Sequence, residues 1–267
     1  MNNIKPSIES RITNLDLKDK TVCLVSYASY MYGKRYGSII DSNDVVVRIN
    51  NGLNILNKKD FGRYTDIIYI FFAGAKTNVI YKTYNELNKT NIKLQDILTL
   101  KKLICISNIS VDKISEYKIK YANNNILFIE TILPKITSGL SAMIILLYLK
   151  PKSLHITGFS FDNFVYPGYE VFFQKYKKTT FDRLNKKFSE WNAPHSELFE
   201  KYVVKSLINT YNNITTDDIM KDILNNIDIN SLHNNIYYEK TFMECFNIIK
   251  QVIEQPIIEG HKLLINN

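Results

Sequence analysis

The sequence predicts an α/β protein: a single Rossmann-like domain whose mostly parallel sheet carries helices on both faces. Short runs of apolar and β-branched residues alternate with longer segments of helical spacing, which is the order typical of strand–helix–strand units. The runs at 21–27 and 44–49 are apolar at consecutive positions, which indicates central strands buried on both faces. The 267 residues of the chain suffice for one such domain with a full core.

Strand and helix signals continue in alternation along most of the chain. Further strands are predicted at 67–72, 103–107, 126–130 and 153–159. Helices are predicted at 81–100, 111–123, 140–149, 194–211, 215–225 and 238–254. No internal repeat or linker is visible, so one domain is expected over 1–267. Within it we expect an N-terminal extension (1–19), a lid or loop region (161–191) and C-terminal helices (212–267).

The composition restricts the class of partner and the compartment. Lys and Arg number 34 against 26 Asp and Glu, and the net charge of +8 favours anionic partners: nucleotides, nucleic acid or a membrane surface. No apolar stretch reaches the ~20 residues of a membrane-spanning helix and the start is polar, so a soluble, untargeted, cytoplasmic protein is expected. The three cysteines stand in apolar settings without metal-ligand spacing, which predicts buried thiols in a reducing compartment.

The stretch 41–50 ends a strand on two polar side chains. Val45, Val46 and Val47 are β-branched and fit a pleated strand. Arg48 and Asn50 follow on one face, because positions two apart in a strand share a face. Open α/β sheets bind ligands at the carboxyl ends of their strands, so these two side chains are candidates for ligand contact. A core strand with a capping arginine and a turn asparagine is the alternative interpretation.

A second informative stretch, Thr137 to Gly139, precedes the strongly apolar helix predicted at 140–149. A helix N-terminus presents unpaired backbone N–H groups and a partial positive charge. Ser or Thr there caps the helix, while Gly lets a phosphate or sugar come close. An ordinary serine N-cap is the alternative.

The third stretch pairs His195 with Glu200, five residues on, at the start of a predicted helix. Imidazole is the side chain best suited to accept a proton near neutral pH, although a histidine followed by a carboxylate is also common in a structural role. The segment before it, 161–191, lacks periodicity and is typical of a lid or binding loop. Its aromatic and basic residues include Phe164, Tyr166, Tyr169, Phe172, Phe173, Tyr176, Lys177, Lys178, Arg183, Lys186 and Lys187.

Taken in order, these stretches resemble the sialyltransferases of glycosyltransferase family 29, the animal-type enzymes that carry sialylmotifs. Residues 23–50, with the pattern D-S-x-D-x-V-x-R-x-N at their end, resemble the large sialylmotif, and 61–66 are similar to its tail. Residues 137–159 resemble the small sialylmotif. His195 and Glu200 match the very small motif. The resemblance spans roughly 20–205 and suggests a soluble bacterial or viral-like relative.

The resemblance implies a metal-independent, inverting transfer of sialic acid, or a related sugar acid, from a CMP-sugar donor to a glycan hydroxyl. It also implies a GT-A-like variant of the α/β fold and no cofactor. His195 would be the catalytic base, and Glu200 would orient its helix or the acceptor site. The implied donor-binding residues are Ser26, Tyr27, Arg48, Asn50, Thr137, Ser138 and Gly139, with Arg48 either structural or supporting the residues that contact the donor. Tyr166, Tyr169 and Trp191 are the candidates for the acceptor site or for the family's third motif.

The chain departs from the family pattern at three places. Many members have Gly-Asn after the first strand, where this chain has Ser26 and Tyr27. The third motif has no clean counterpart between 159 and 195. Secretory members join the large and small motifs by a disulfide; Cys23 matches its first partner, but Lys150 and Pro151 stand where the second would be.

Two other functions remain open from the sequence. One is a single-stranded nucleic-acid-binding module that uses the basic, aromatic segment from Tyr166 to Lys187, since aromatic stacking and phosphate contacts commonly hold single strands. The other is a sialyltransferase-like protein that has lost catalysis, as the missing third motif suggests.

Overall fold

The computed structural model describes residues 16–49, 52, 57–71, 102–107, 126–130, 136–161, 197–227 and 236–256. Its strands are β1 (Thr21–Val25), β2 (Val45–Ile49), β3 (Ile67–Phe71), β4 (Lys102–Ser107), β5 (Ile126–Glu130), β6 (Ser153–Thr157) and β7 (Ile214–Thr216). They form one sheet in the order β5-β4-β3-β2-β1-β6-β7, and each neighbouring pair is parallel. The predicted α/β class with a parallel, Rossmann-like sheet is confirmed.

The described helices are α1 (Gly37–Asp41), α2 (Lys58–Phe61), α3 (Ser138–Tyr148), α4 (Glu197–Thr210), α5 (Asp218–Asn225) and α6 (Ile236–Glu254). A 3-10 turn at Ser29–Met31 precedes α1. Helix α3 is buried from Gly139 to Tyr148 and packs on β2, β3 and α6. Among the described residues, none of these helices has the length and apolar character of a bilayer-crossing span. The helices predicted at 81–100 and 111–123 lie outside the described residues.

The centre of the sheet is buried on both faces. The side chains from Val22 to Val25 and from Val45 to Val47 are fully buried. Adjacent strand residues point to opposite faces, so both faces of β1 and β2 are covered. Cys23 lies among them as a buried free thiol, as predicted, whereas Cys245 is only partly buried. Burial raises the pKa of Cys23 to about 12, so this thiol stays neutral.

Three local features differ from the sequence prediction. The first strand ends at Val25 rather than at residue 27. Residues 37–41 form α1, a helix that the sequence did not predict; a Cβ at Gly37 would clash with the carbonyl oxygen of Lys58, so glycine allows α1 and α2 to approach closely. Residues 214–216 form the edge strand β7 within a region expected to be helical. A three-residue strand with one buried side chain, Ile214, is too short to show alternation.

The chain changes direction across the sheet beside β1. From β1 it proceeds outward through β2 to β5, and it then returns to place β6 on the other side of β1. The strand order therefore reverses between β1 and β6. In open α/β sheets ligands bind outside the carboxyl ends of the strands at such a switch point, so a ligand site is expected at this edge.

Candidate active site

The segments that follow β1 and β6 lie against each other at the switch point. The backbone N–H of Ser26 donates to the carbonyl of Thr157 at 2.9 Å, and that of Ala28 donates to the carbonyl of Gly158 at 3.0 Å. Gly158 has a φ of 79°, and a Cβ there would lie 2.6 Å from the carbonyl oxygen of Ser26, so only glycine fits. Ser26 and Tyr27 are thus at the expected edge, and both are buried. Their contact with a nucleotide stays a prediction.

Helix α3 begins at the same edge, and its N-cap is Thr137. The Thr137 hydroxyl oxygen accepts a hydrogen bond from the backbone N–H of Leu140 at 3.3 Å. The cap is therefore the threonine, not the serine of the alternative interpretation. The backbone N–H groups of Ser138 and Gly139 belong to the first helical turn, which has no intrahelical acceptors, and no described residue accepts from them. These two groups and the helix dipole suit an anion.

Gly139 brings the ends of β2 and β6 together. A Cβ on this glycine would lie 2.6 Å from Cε1 of Phe159 and 3.7 Å from Cδ1 of Ile49. The glycine is therefore needed because the Phe159 ring packs directly on the helix, a reason that the sequence did not reveal. The stretches that resemble the large and small motifs are in contact here. Asn50 follows Ile49 but lies outside the described residues.

Arg48 points into the protein and fastens the turn before β3. Its Nε donates to Oγ1 of Thr65 at 2.9 Å and to the Tyr64 carbonyl at 3.2 Å. Its Nη2 donates to the carbonyls of Phe61 at 2.6 Å and Gly62 at 3.3 Å. The side chain is 2% exposed, and burial lowers its pKa to about 10. This geometry makes Arg48 structural, while a contact between Arg48 and a donor stays a prediction.

Glu200 joins α4 to the start of α3. Its carboxylate oxygens accept hydrogen bonds from the backbone N–H and from the hydroxyl of Thr137, both at 2.6 Å. The two residues are 63 positions apart in the chain, so this contact brings the third stretch to the second. His195 precedes α4 by two residues and lies outside the described residues, as do Tyr166, Tyr169 and Trp191.

The burial of Glu200 predicts a pH-dependent stability. Burial raises its pKa from 4.5 to about 7, and the bonds from Thr137 offset only part of that effect. The folded protein thus holds this proton more tightly than the unfolded chain, so the stabilisation is complete below the ordinary pKa and is lost as the pH rises through about 7. We expect the free energy of unfolding, measured by urea titration, to fall by about 1 kcal/mol from about pH 6 to about pH 8 because of this group.

Glu200→Gln is the matched variant for this measurement. The amide is the size of the carboxyl and still accepts from the Thr137 N–H, but it does not titrate. The pH dependence of the variant should therefore be shallower than that of the wild type in this range. Equal slopes for both proteins would show that Glu200 is already ionised well below neutral pH.

A buried carboxylate, Asp217, holds the switch point together. It follows β7 and accepts from the Thr157 hydroxyl at 2.7 Å, the Tyr30 hydroxyl at 2.7 Å and the Gly158 N–H at 3.2 Å. It also caps α5 by accepting from the N–H of Met220 at 2.8 Å. Burial and then the charge of Asp217 raise the pKa of Tyr30, which stays protonated and donates to the carboxylate.

Asp217 and Tyr30 are not among the site residues that the sequence predicts. An aspartate before an amphipathic segment is a recognisable N-cap signal, and it would have located the start of α5. Its bonds to Tyr30 and Thr157 join residues that are 187 and 60 positions apart in the chain, so local sequence patterns do not reveal them. The hydrogen bonds of Asp217 hold the loop after β1 next to the turn after β6.

The fold and this edge together define a Rossmann-like α/β protein with a candidate ligand site at its switch point. No protein-family model and no curated protein matches the chain. Among solved structures, it is similar to a mammalian sialyltransferase in complex with Gal-beta-1-3GalNAc-ortho-nitrophenol, with 15% sequence identity and a TM-score of 0.47 over 74% of this chain and 69% of that chain. Within the described part of the chain, no three His, Cys, Asp or Glu side chains are grouped as a metal site requires.

Proposed function

We propose that the protein is a metal-independent, inverting glycosyltransferase that moves sialic acid or a related sugar acid from a CMP-sugar to a glycan hydroxyl. The observation that supports this most is the meeting of the three resembling stretches at the carboxyl edge of the sheet. Gly139 packs between Ile49 and Phe159, and Glu200 holds α4 against Thr137. A nucleotide site at a switch point is the usual arrangement in this class of fold.

The donor would lie across the start of α3. The N–H groups of Ser138 and Gly139, which bond to no described residue, suit the phosphate or the sugar carboxylate, with Thr137 fixing the helix start. Asn50 would hold the cytidine part, and Ser26 and Tyr27 would border it. Charge that develops on the departing CMP would be stabilised by these N–H groups and by side chains rather than by a cation. No cofactor takes part in the proposed reaction.

His195 would act as the general base. It removes the proton of the acceptor hydroxyl as that oxygen attacks the anomeric carbon of the sugar acid. The bond from this carbon to the phosphate oxygen breaks, its electron pair leaves with CMP, and the configuration inverts. Glu200 would keep the start of α4 close to the donor through Thr137, and Tyr166, Tyr169 and Trp191 would contribute to the acceptor side.

Isothermal titration with CMP tests the donor assignment. We expect the wild type to bind CMP and Asn50→Ala to bind it about tenfold or more weakly, because a hydrogen bond to a nucleotide is lost and its partner is left unpaired. Asn209→Ala, at an exposed position on α4, is the matched control and should bind like the wild type. The assignment is wrong if the wild type does not bind CMP, or if Asn50→Ala and Asn209→Ala behave alike.

A second assay separates an active enzyme from an inactive relative. Release of CMP from CMP-sialic acid in the presence of a glycan acceptor should be catalysed by the wild type. Binding of CMP without any such release would indicate a protein that kept the donor site and lost the chemistry.

A further inference from the structure

A shallow basic hollow of about 510 Å³ lies on the surface between α1 and α2. It is lined by Arg35, Lys58, Lys59 and Arg63, together with Gly37, Ser38 and Asp41. The four cationic residues are exposed. This basic hollow is separate from the candidate active site, whose residues do not line it.

The carboxylates near the basic hollow bind backbone N–H groups. Asp41 accepts from the N–H of Arg63 at 2.8 Å and pairs with Nε of the same residue at 3.3 Å. Asp60 is buried and accepts from the N–H groups of Gly33 at 2.8 Å and Arg35 at 2.9 Å. These backbone bonds, with a smaller contribution from the charge of Arg35, lower the pKa of Asp60, so it stays charged. Among the described residues, no carboxylate forms an ion pair with Arg35, Lys58 or Lys59.

The backbone at Arg35 is held in a conformation that favours glycine. Its φ is 57°, in the left-handed region that L side chains rarely adopt. The two hydrogen bonds that Asp60 accepts from the N–H groups of Gly33 and Arg35 keep this turn in place. A glycine would occupy the position without strain, so these bonds hold the arginine in a conformation that it rarely adopts.

Exposed apolar side chains lie in the same segment as Arg35. Tyr32 is 39% exposed and Ile39 is 52% exposed. The Tyr32 ring packs edge-on against Phe61 of α2 at 5.2 Å, which keeps it beside the helix of Lys58 and Lys59. Ile39 directly follows Ser38 in the sequence, and Ser38 lines the basic hollow. Cations next to an exposed aromatic and an exposed aliphatic residue are the composition of surfaces that lie at the headgroup boundary of a bilayer.

We propose that the basic hollow, with Tyr32 and Ile39, docks the protein on an anionic phospholipid surface. The exposed lysines and arginines contact lipid phosphates, and Ile39 enters the boundary of the acyl chains. A polyanion in solution, such as a nucleic acid, would also bind the cations, but its affinity would not depend on Ile39. Each cation near such a surface strengthens partitioning by about fivefold. The proposal concerns where the protein binds and is independent of the proposed transfer reaction.

Cosedimentation of the full chain with vesicles tests it. We expect binding to phosphatidylcholine vesicles that contain about one third phosphatidylserine, and little binding to phosphatidylcholine alone. Lys58→Glu/Lys59→Glu should weaken binding by about 25-fold or more, since two such contributions are lost. Lys20→Glu/Lys152→Glu changes the net charge equally at exposed positions just before β1 and β6, and should change binding by less than about threefold.

A second pair of variants tests the apolar contact. Ile39→Ser should weaken vesicle binding by about fivefold or more, whereas Met243→Ser, at a position 47% exposed on α6, should not. Equal binding to charged and neutral vesicles would overturn the proposal. An equal loss of vesicle binding in the two double lysine-to-glutamate variants would also overturn it. So would tighter binding of a single-stranded oligonucleotide together with no effect of Ile39→Ser on vesicles. CMP titration of the same variants should match the wild type, so that a failure here is distinct from a failure of the donor assignment.

Discussion

Replacing Arg48 with methionine should lower the free energy of unfolding by about 3 to 5 kcal/mol. The guanidinium is buried in β2 and makes four hydrogen bonds to the turn between α2 and β3. Methionine fills similar space but leaves the carbonyls of Phe61, Gly62 and Tyr64 without these donors. Unsatisfied buried acceptors account for most of the expected loss. Urea unfolding of the two proteins at one pH measures it.

Arg63→Met is the matched control for this experiment. Arg63 is an arginine of the same turn, but its side chain is 61% exposed and its partner is Asp41. An exposed pair contributes at most about 1 kcal/mol, so this variant should unfold nearly like the wild type. Arg48→Lys should remain destabilised, because a single ammonium does not reproduce the planar set of donors. A change below about 1 kcal/mol in Arg48→Met would mean that the turn does not depend on this side chain.

His195→Ala should lower the rate of sugar transfer by about 10² to 10⁴ while leaving CMP binding nearly unchanged. This follows from the proposed role of the imidazole as the base for the acceptor hydroxyl, a role that donor binding does not require. Raising the pH should restore part of the lost rate, because a more ionised acceptor needs less help from a base. Initial rates of CMP release with and without the acceptor measure both effects.

His155→Ala serves as the control among the four histidines of the chain. His155 lies on β6, bonds through Nδ1 to Oγ1 of Thr215 on the edge strand β7, and should not affect the rate. Equal rates for His195→Ala and the wild type would remove the general-base assignment. Loss of CMP binding in His195→Ala would instead place this residue in the donor site.

The strands could be predicted because burial on both faces requires a run of consecutive apolar residues, which is visible in the sequence. Consecutive apolar residues such as Val22 to Val25 and Val45 to Val47 have few stable alternatives to a central parallel strand. The start of α3 was also visible, since Thr137 stands directly before an apolar helix and caps it. The edge strand β7 could not be predicted, because its three residues are too few to show the alternation of a strand.

The contacts that build the candidate site were hidden from the sequence. Thr137 and Glu200 are separated by 63 positions, and Thr157 and Asp217 by 60. The resemblance selected Glu200 but did not identify Thr137 as its partner. Asp217 was missed because its place at the switch point depends on the order of the strands, which local patterns do not encode.

The sequence by itself determined the class of fold and the order in which three polar stretches follow their strands, because backbone preference and burial act between near neighbours. Only the tertiary structure decided that Arg48 turns inward to the 61–65 turn, that Gly139 lies under Phe159 and that Glu200 reaches Thr137. These outcomes depend on which strands become neighbours, and strand pairing is set by the packing of the whole sheet rather than by any one segment.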